Sequence, residues 1–155
     1  MRFVRCYTGG VENTSASSSR KPGPVRRLTF EYDGDHIKLV SNKPVTMIVP
    51  PTQPLDAAPT HGALSLVVRD QANRPLYRAT HESPIRHDAE VFSREAGGSV
   101  QRVAVEHPKG AFTVLVPDLP AAHELDLVGH PLKPEAHAEP PQRLGTYSLK
   151  PPAPQ

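Results

Sequence analysis

The sequence predicts an all-β fold, an antiparallel sandwich of about seven or eight short strands with flexible N- and C-terminal extensions, and three observations carry that expectation. Apolar residues recur at a period of two over much of Leu28 to Val128, the pattern of strands with one buried face. Turn-forming residues break the pattern at regular intervals, as short strands joined by tight connections require. No stretch sustains a helical period; AAHELDLV (121–128) allows a helical turn, but Leu125 and Leu127 match period two.

The elements follow in order. In LTFEY (28–32), Leu28, Phe30 and Tyr32 point one way and Thr29 and Glu31 the other. Asp33-Gly34-Asp35 turns the chain, since glycine tolerates positive φ and aspartate bonds its own backbone. Ile37 and Leu39 lead a second strand, Asn42-Lys43-Pro44 interrupts it, and Val45, Met47 and Val49 resume the alternation. Pro44, with no N–H to donate, calls for an edge position or a bend. Residues 50–62 carry four prolines and form a long loop. Leu64, Leu66 and Val68 share a strand face, and RDQANR (69–74) reads as a type I turn leading into a strand at 76–81. Asp70 opens that turn, Asn73 suits the left-handed conformation after it, and Arg69, Arg74 and Arg78 are expected in solvent at its edges. AEVFS (89–93) and VQRVAV (100–105) flank a Gly97-Gly98 loop as a hairpin. AFTVLV (111–116) is apolar on both faces and is expected as a central strand, with the last strand around Leu125 and Leu127.

With 155 residues the chain is sized for one domain able to bury a core without staples. Its 19 prolines are more than twice the usual proportion of roughly 5% and belong in loops and tails. Residues 1–24 form a basic arm rich in Ser, Gly and Pro, whose ordering would bury little; 25–130 hold the sandwich. Residues 131–155 hold seven prolines and lose the core pattern, so this tail is expected to be extended, and deleting it to leave folding intact. Charge is uneven: the net of +2 divides into +5 over 1–27, −4 over 28–130 and +1 beyond. Arg20, Lys21, Arg26 and Arg27 are therefore candidate handles for an acidic partner. In the tail, Leu144, Tyr147 and Leu149 are candidate anchors, on a partner's groove or on the chain's own sheet edge.

The motifs that carry chemistry are not met. HELDLVGH (123–130) places Leu127 where a zinc hydrolase of the HExxH type needs its second histidine. His123, His130 and His137 are seven apart, but Pro131 and Pro134 forbid a helix that would align them. His81, His87 and His107, with Asp88, Glu90 or Glu106, remain the candidates for a metal-dependent hydrolase built at strand ends. No G-x-S-x-G, P-loop or GxGxxG is present. Nucleic-acid binding would rest on the arm alone, because the aromatics fall at positions expected to face the core. Cys6 is the single cysteine, no run of ~18 apolar residues exists, and the first residues lack a signal-peptide core. These features lead to the expectation of a cytoplasmic protein with no membrane segment.

GALSLVVRDQANRPLYRATHESP (62–84) and AFTVLVPDLP (111–120) resemble stretches of immunoglobulin-like accessory domains in bacterial proteins, with strand, "RD" turn and "LY" strand in the order of the N-terminal β-domain of M64-family (IgA-type) metallopeptidases. The resemblance implies an immunoglobulin-like sandwich and transfers no catalytic residue, because the chain lacks that family's zinc motif. The expected function is that of a non-catalytic binding or structural subunit, a β-sandwich adaptor with a protein partner or a second copy and no cofactor. The alternatives are the histidine-based hydrolase and a small-ligand carrier with a pocket between its sheets.

Overall fold

The computed structural model describes residues 21–34, 36–60, 62–85, 88–92, 100–130 and 139–150. Among them are nine strands and no helix: β1 (Pro22–Asp33), β2 (His36–Ile48), β3 (Ala63–Arg69), β4 (Pro75–Glu82), β5 (Asp88–Phe92), β6 (Val100–Ala104), β7 (Lys109–Pro117), β8 (Glu124–Gly129) and β9 (Gln142–Ser148). All pairings are antiparallel and make three sheets, ordered β2-β1-β7, β4-β3-β8-β9 and β5-β6.

The first two sheets form the sandwich. Leu28, Phe30, Phe112, Val114 and Val116 come from one, and Leu64, Leu66, Val68, Tyr77, Leu125 and Leu127 from the other. Phe30 stacks on Phe112 at 5.2 Å and meets the edge of Tyr147 at 4.9 Å, so one ring joins both layers. Truncating a buried aromatic at such a junction costs about 3–5 kcal/mol. The architecture is an antiparallel β-sandwich whose strand order departs from that of an immunoglobulin constant domain. Here β1 is the middle strand of its sheet, whereas the first strand of an immunoglobulin constant domain stands at an edge.

Local chemistry explains the connections. Gly34 turns β1 into β2 at φ 56°, and its N–H donates to the Pro108 carbonyl at 2.9 Å. At the Asp70 turn, Asn73 takes φ 63° and donates its N–H to the Asp70 carbonyl, as expected. The Asp70 carboxylate accepts the N–H groups of Ala72 and Arg74 at 2.9 Å and the Arg74 guanidinium at 2.8 Å. Those donors, the Arg74 backbone N–H first, outweigh the burial of Asp70 and hold its carboxyl below the usual carboxylate range.

Several expectations are corrected. Among the described residues AFTVLV is an edge strand: β7 pairs with β1 alone and LTFEY occupies the centre, since apolar residues on a strand's faces do not fix the pairing along its edges; the outward Ala111 and Thr113 are exposed. Asn42-Lys43-Pro44 does not interrupt β2, since a strand with one free edge tolerates a missing N–H. Of the three arginines around the turn only Arg74 is exposed. Arg69 donates to buried Asp126 at 2.7 Å, and Arg78 is 8% exposed, lying over Val67 across the β3–β4 ladder. The sandwich also extends past residue 130: β9 pairs with β8, and Leu149 is fully buried.

Candidate functional site

The four edges of the sandwich are not treated alike. On one side β2 and β9 are stitched together: the Tyr147 hydroxyl donates to the Ile37 carbonyl at 2.8 Å and the Asn42 amide to that of Leu149 at 3.2 Å. On the other side the 49–62 loop covers β4. There the Gln53 N–H donates to the Arg78 carbonyl at 2.8 Å, and the Thr52 hydroxyl accepts the Arg78 N–H at 3.2 Å. The outer edge of β7 has no backbone partner among the described residues. An unpaired row of N–H and C=O groups on an apolar strand is a template for another chain.

Beside that edge lies a cleft of about 410 Å³. Its strand wall is Phe112, Thr113, Val114 and Leu115, residues of both faces of β7, so the cleft runs along the strand's edge rather than across one face. Leu64 forms part of the floor, and His81 and Glu82 supply polar groups at the margin. An extended peptide has what it needs here: main-chain groups to pair with and an apolar slot for alternate side chains.

A second feature belongs to the same side of the chain order. The β5–β6 hairpin enters between β4 and β7, pairs with neither sheet, and exposes Val91, Phe92, Val100 and Val103. Cross-strand pairing puts Asp88, Glu90 and Arg102 on one face, with Arg102 3.6 Å and 3.7 Å from the two carboxylates. Val91, Gln101 and Val103 lie on the other, which bears no charge.

The residues singled out from sequence are dispersed. Arg20 lies outside the described residues, Lys21 and Arg27 are exposed, and Arg26 is held by Asp118 at 2.7 Å and Asn42 at 3.2 Å. An ion-paired Arg26 orders the β1 end of its sheet and is no free handle. Leu144, Tyr147 and Leu149 all dock on the chain's own core, the intramolecular one of the two placements considered for them. Among the histidines, His81 borders the cleft, His107 is exposed, and His87 lies outside the described residues. No group of three or more His, Cys, Asp or Glu among the described residues is placed to hold a metal ion. A second, more polar depression of about 330 Å³ lies beside Asp70, Arg74, His123 and Lys150, but its acid is already engaged by Arg74.

Sequence reasoning missed Ile48, Leu64, Thr113 and Leu115 as cleft residues. The available signal was AFTVLV itself, apolar on both faces. Comparisons with protein-family models, with curated proteins and with solved structures return no match. No helix of the described residues is long and apolar enough to cross a membrane.

Proposed function

We propose that this chain is a non-catalytic adaptor that captures an extended polypeptide segment along the free edge of β7. One observation supports this above the rest: β7, a largely apolar strand over Ala111–Val116, stands at an edge whose outer side has no backbone partner among the described residues, beside a mostly apolar cleft that both of its faces line. In an immunoglobulin constant domain the strand at this place in the sheet has a further strand outside it, the D strand next to E. A captured segment would take that position here, with hydrogen bonds from the main chain and side-chain selection from the cleft. The implied partner is a protein segment that alternates apolar and polar residues.

The test is peptide selection from a display library followed by amide exchange. Selected sequences should alternate apolar and polar residues and should slow exchange across 109–117. Leu115→Glu should weaken their binding by at least about tenfold, or ~1.4 kcal/mol. Peptides that bind without protecting β7 would overturn the proposal. The carrier reading is favoured by the cleft's volume alone, and it predicts a different result. A small apolar ligand would protect the cleft floor around Leu64 and leave the outward amides of β7 exchanging freely.

A further inference from the structure

We infer that the segment captured at β7 is the β5–β6 hairpin of a second copy of this chain, exchanged reciprocally between two protomers. This rests on β7 being a capturing edge, and it names the occupant.

Three features of the hairpin point to that occupant. An isolated two-stranded ribbon is marginal in water, and this one has unpaired outer edges of its own among the described residues. It is two-sided: Val91 and Val103 share the charge-free face, while Phe92 pairs with Val100 on the face that also carries the Asp88, Glu90 and Arg102 ion group. The charge-free face matches the slot along β7, whose walls are apolar apart from Thr113 and the margin at His81 and Glu82. A single sandwich edge covers one face of a ribbon. Two hairpins crossing about a two-fold axis also cover each other's second face, where Phe92 is 72% exposed.

The chain's own hairpin does not fill its own edge: β6 and β7 are not paired with each other although they are consecutive in the chain. Only Val105 to Pro108 separate β6 from β7, and Pro108 is buried with its carbonyl accepting the Gly34 N–H at 2.9 Å. That bond ties the connection to the β1–β2 turn. It extends the β1–β7 ladder by one residue and leaves the opposite side of β7 without a backbone partner among the described residues. Lys109 and Asp33 add an exposed ion pair beside it at 2.9 Å. A short, tethered hinge between an element and an edge it leaves unpaired is a setting from which exchange between copies arises.

The area is adequate. Val91, Phe92, Val100, Val103 and the neighbouring Ile48 together expose on the order of 450 Å² of apolar side chain. Two copies thus bring roughly 900 Å², before the paired main chain and polar rim are added, toward the ~1,200–2,000 Å² of stable interfaces.

The test uses full-length chains in a Cys6→Ser background. One carries Val103→Cys, another Thr113→Cys, and the two are mixed and treated with a short bismaleimide, so that any link is between copies. A covalent dimer is expected, enriched at least about tenfold over either chain alone and lost when the Thr113→Cys chain also carries Leu115→Glu. Light scattering should show a monomer–dimer equilibrium that Val91→Ser/Val103→Ser shifts to monomer, with circular dichroism confirming that the variant is folded. A monomer at every concentration, or a chain bearing both cysteines that yields only internally linked monomer, overturns the inference. If that happens while selected peptides still protect β7, edge capture stands and only the second copy falls; if no peptide protects β7, both fall.

Discussion

The two sheets of the sandwich are finished to different degrees. The four-stranded sheet is closed on every side. The Asp70 turn caps β3 and β4, the Thr52–Gln53 stretch of the loop covers β4, and β9 is tied to β2. Its outer face carries Asp126, nearly fully buried and shared by Arg69 at 2.7 Å, Thr146 at 2.6 Å and Arg143 at 3.3 Å. The three-stranded sheet has a modest outer face, with the Thr29 and Thr113 hydroxyls 3.1 Å apart, and it leaves β7 open. Engaged edges and an open edge are thereby separated in space, one sheet being tied at both of its edges while the other has an edge with no backbone partner among the described residues.

The largest expected effect comes from the closed side. Tyr147→Ala removes the ring that meets Phe30 at 4.9 Å and the hydroxyl bond to Ile37, and should lower stability by about 3–5 kcal/mol in urea unfolding. Leu115→Glu on the open edge, half-buried beside the cleft, should cost under ~1 kcal/mol. Equal losses would mean that the two edges are equally built into the fold. For the same reason deletion of the C-terminal tail, which composition alone makes dispensable, should unfold the domain, because it removes β9 and the fully buried Leu149.

A smaller effect follows at acid pH from the Asp70 turn. Its carboxyl, held below the ordinary 3.8 chiefly by the Arg74 N–H, favours the folded state wherever it is ionised. That contribution is complete above the unfolded value and is lost as pH falls through the lower folded value. Asp70→Asn keeps an acceptor but not the charge. Wild type should therefore be the more stable at neutral pH, with the gap closing in acid below ~pH 4; a gap that stays constant with pH would show that the charge plays no part.

Much of the fold was legible because burial writes itself into period two. Leu28, Phe30, Leu64, Leu66, Val68, Leu125 and Leu127 all face the core as alternation required. Asp70 and Asn73 were legible because turn chemistry is local. What was not legible depends on partners distant in sequence. Arg69 was expected in water because charged residues at hairpin ends are usually solvated; the carboxylate that holds it, Asp126, lies 57 residues away. The LGTYSL segment lies among prolines that mask its pairing with β8. Most instructive is β7, because an apolar run states that it will be covered without stating by which chain. Pattern alone therefore placed it in the centre of a sheet. The candidate site was unreadable for the same reason, being defined by a neighbour that is missing rather than by a residue that is present.

The smallest stability effect is the sharpest test of the division between the two sheets. Val91→Ser/Val103→Ser alters two side chains that are 50% and 47% exposed on a ribbon paired with neither sheet. Removing apolar area that remains in water in the folded monomer forfeits almost no burial, so the urea midpoint measured under dilute, monomeric conditions should move by less than ~0.5 kcal/mol. At high protein concentration the wild type should gain stability and the variant should not, because association favours the folded state by mass action. The difference between the two should therefore grow with concentration. A loss already present at high dilution would instead place the hairpin among the elements that hold the monomer together, and β7 would then lack the freedom that its open edge implies.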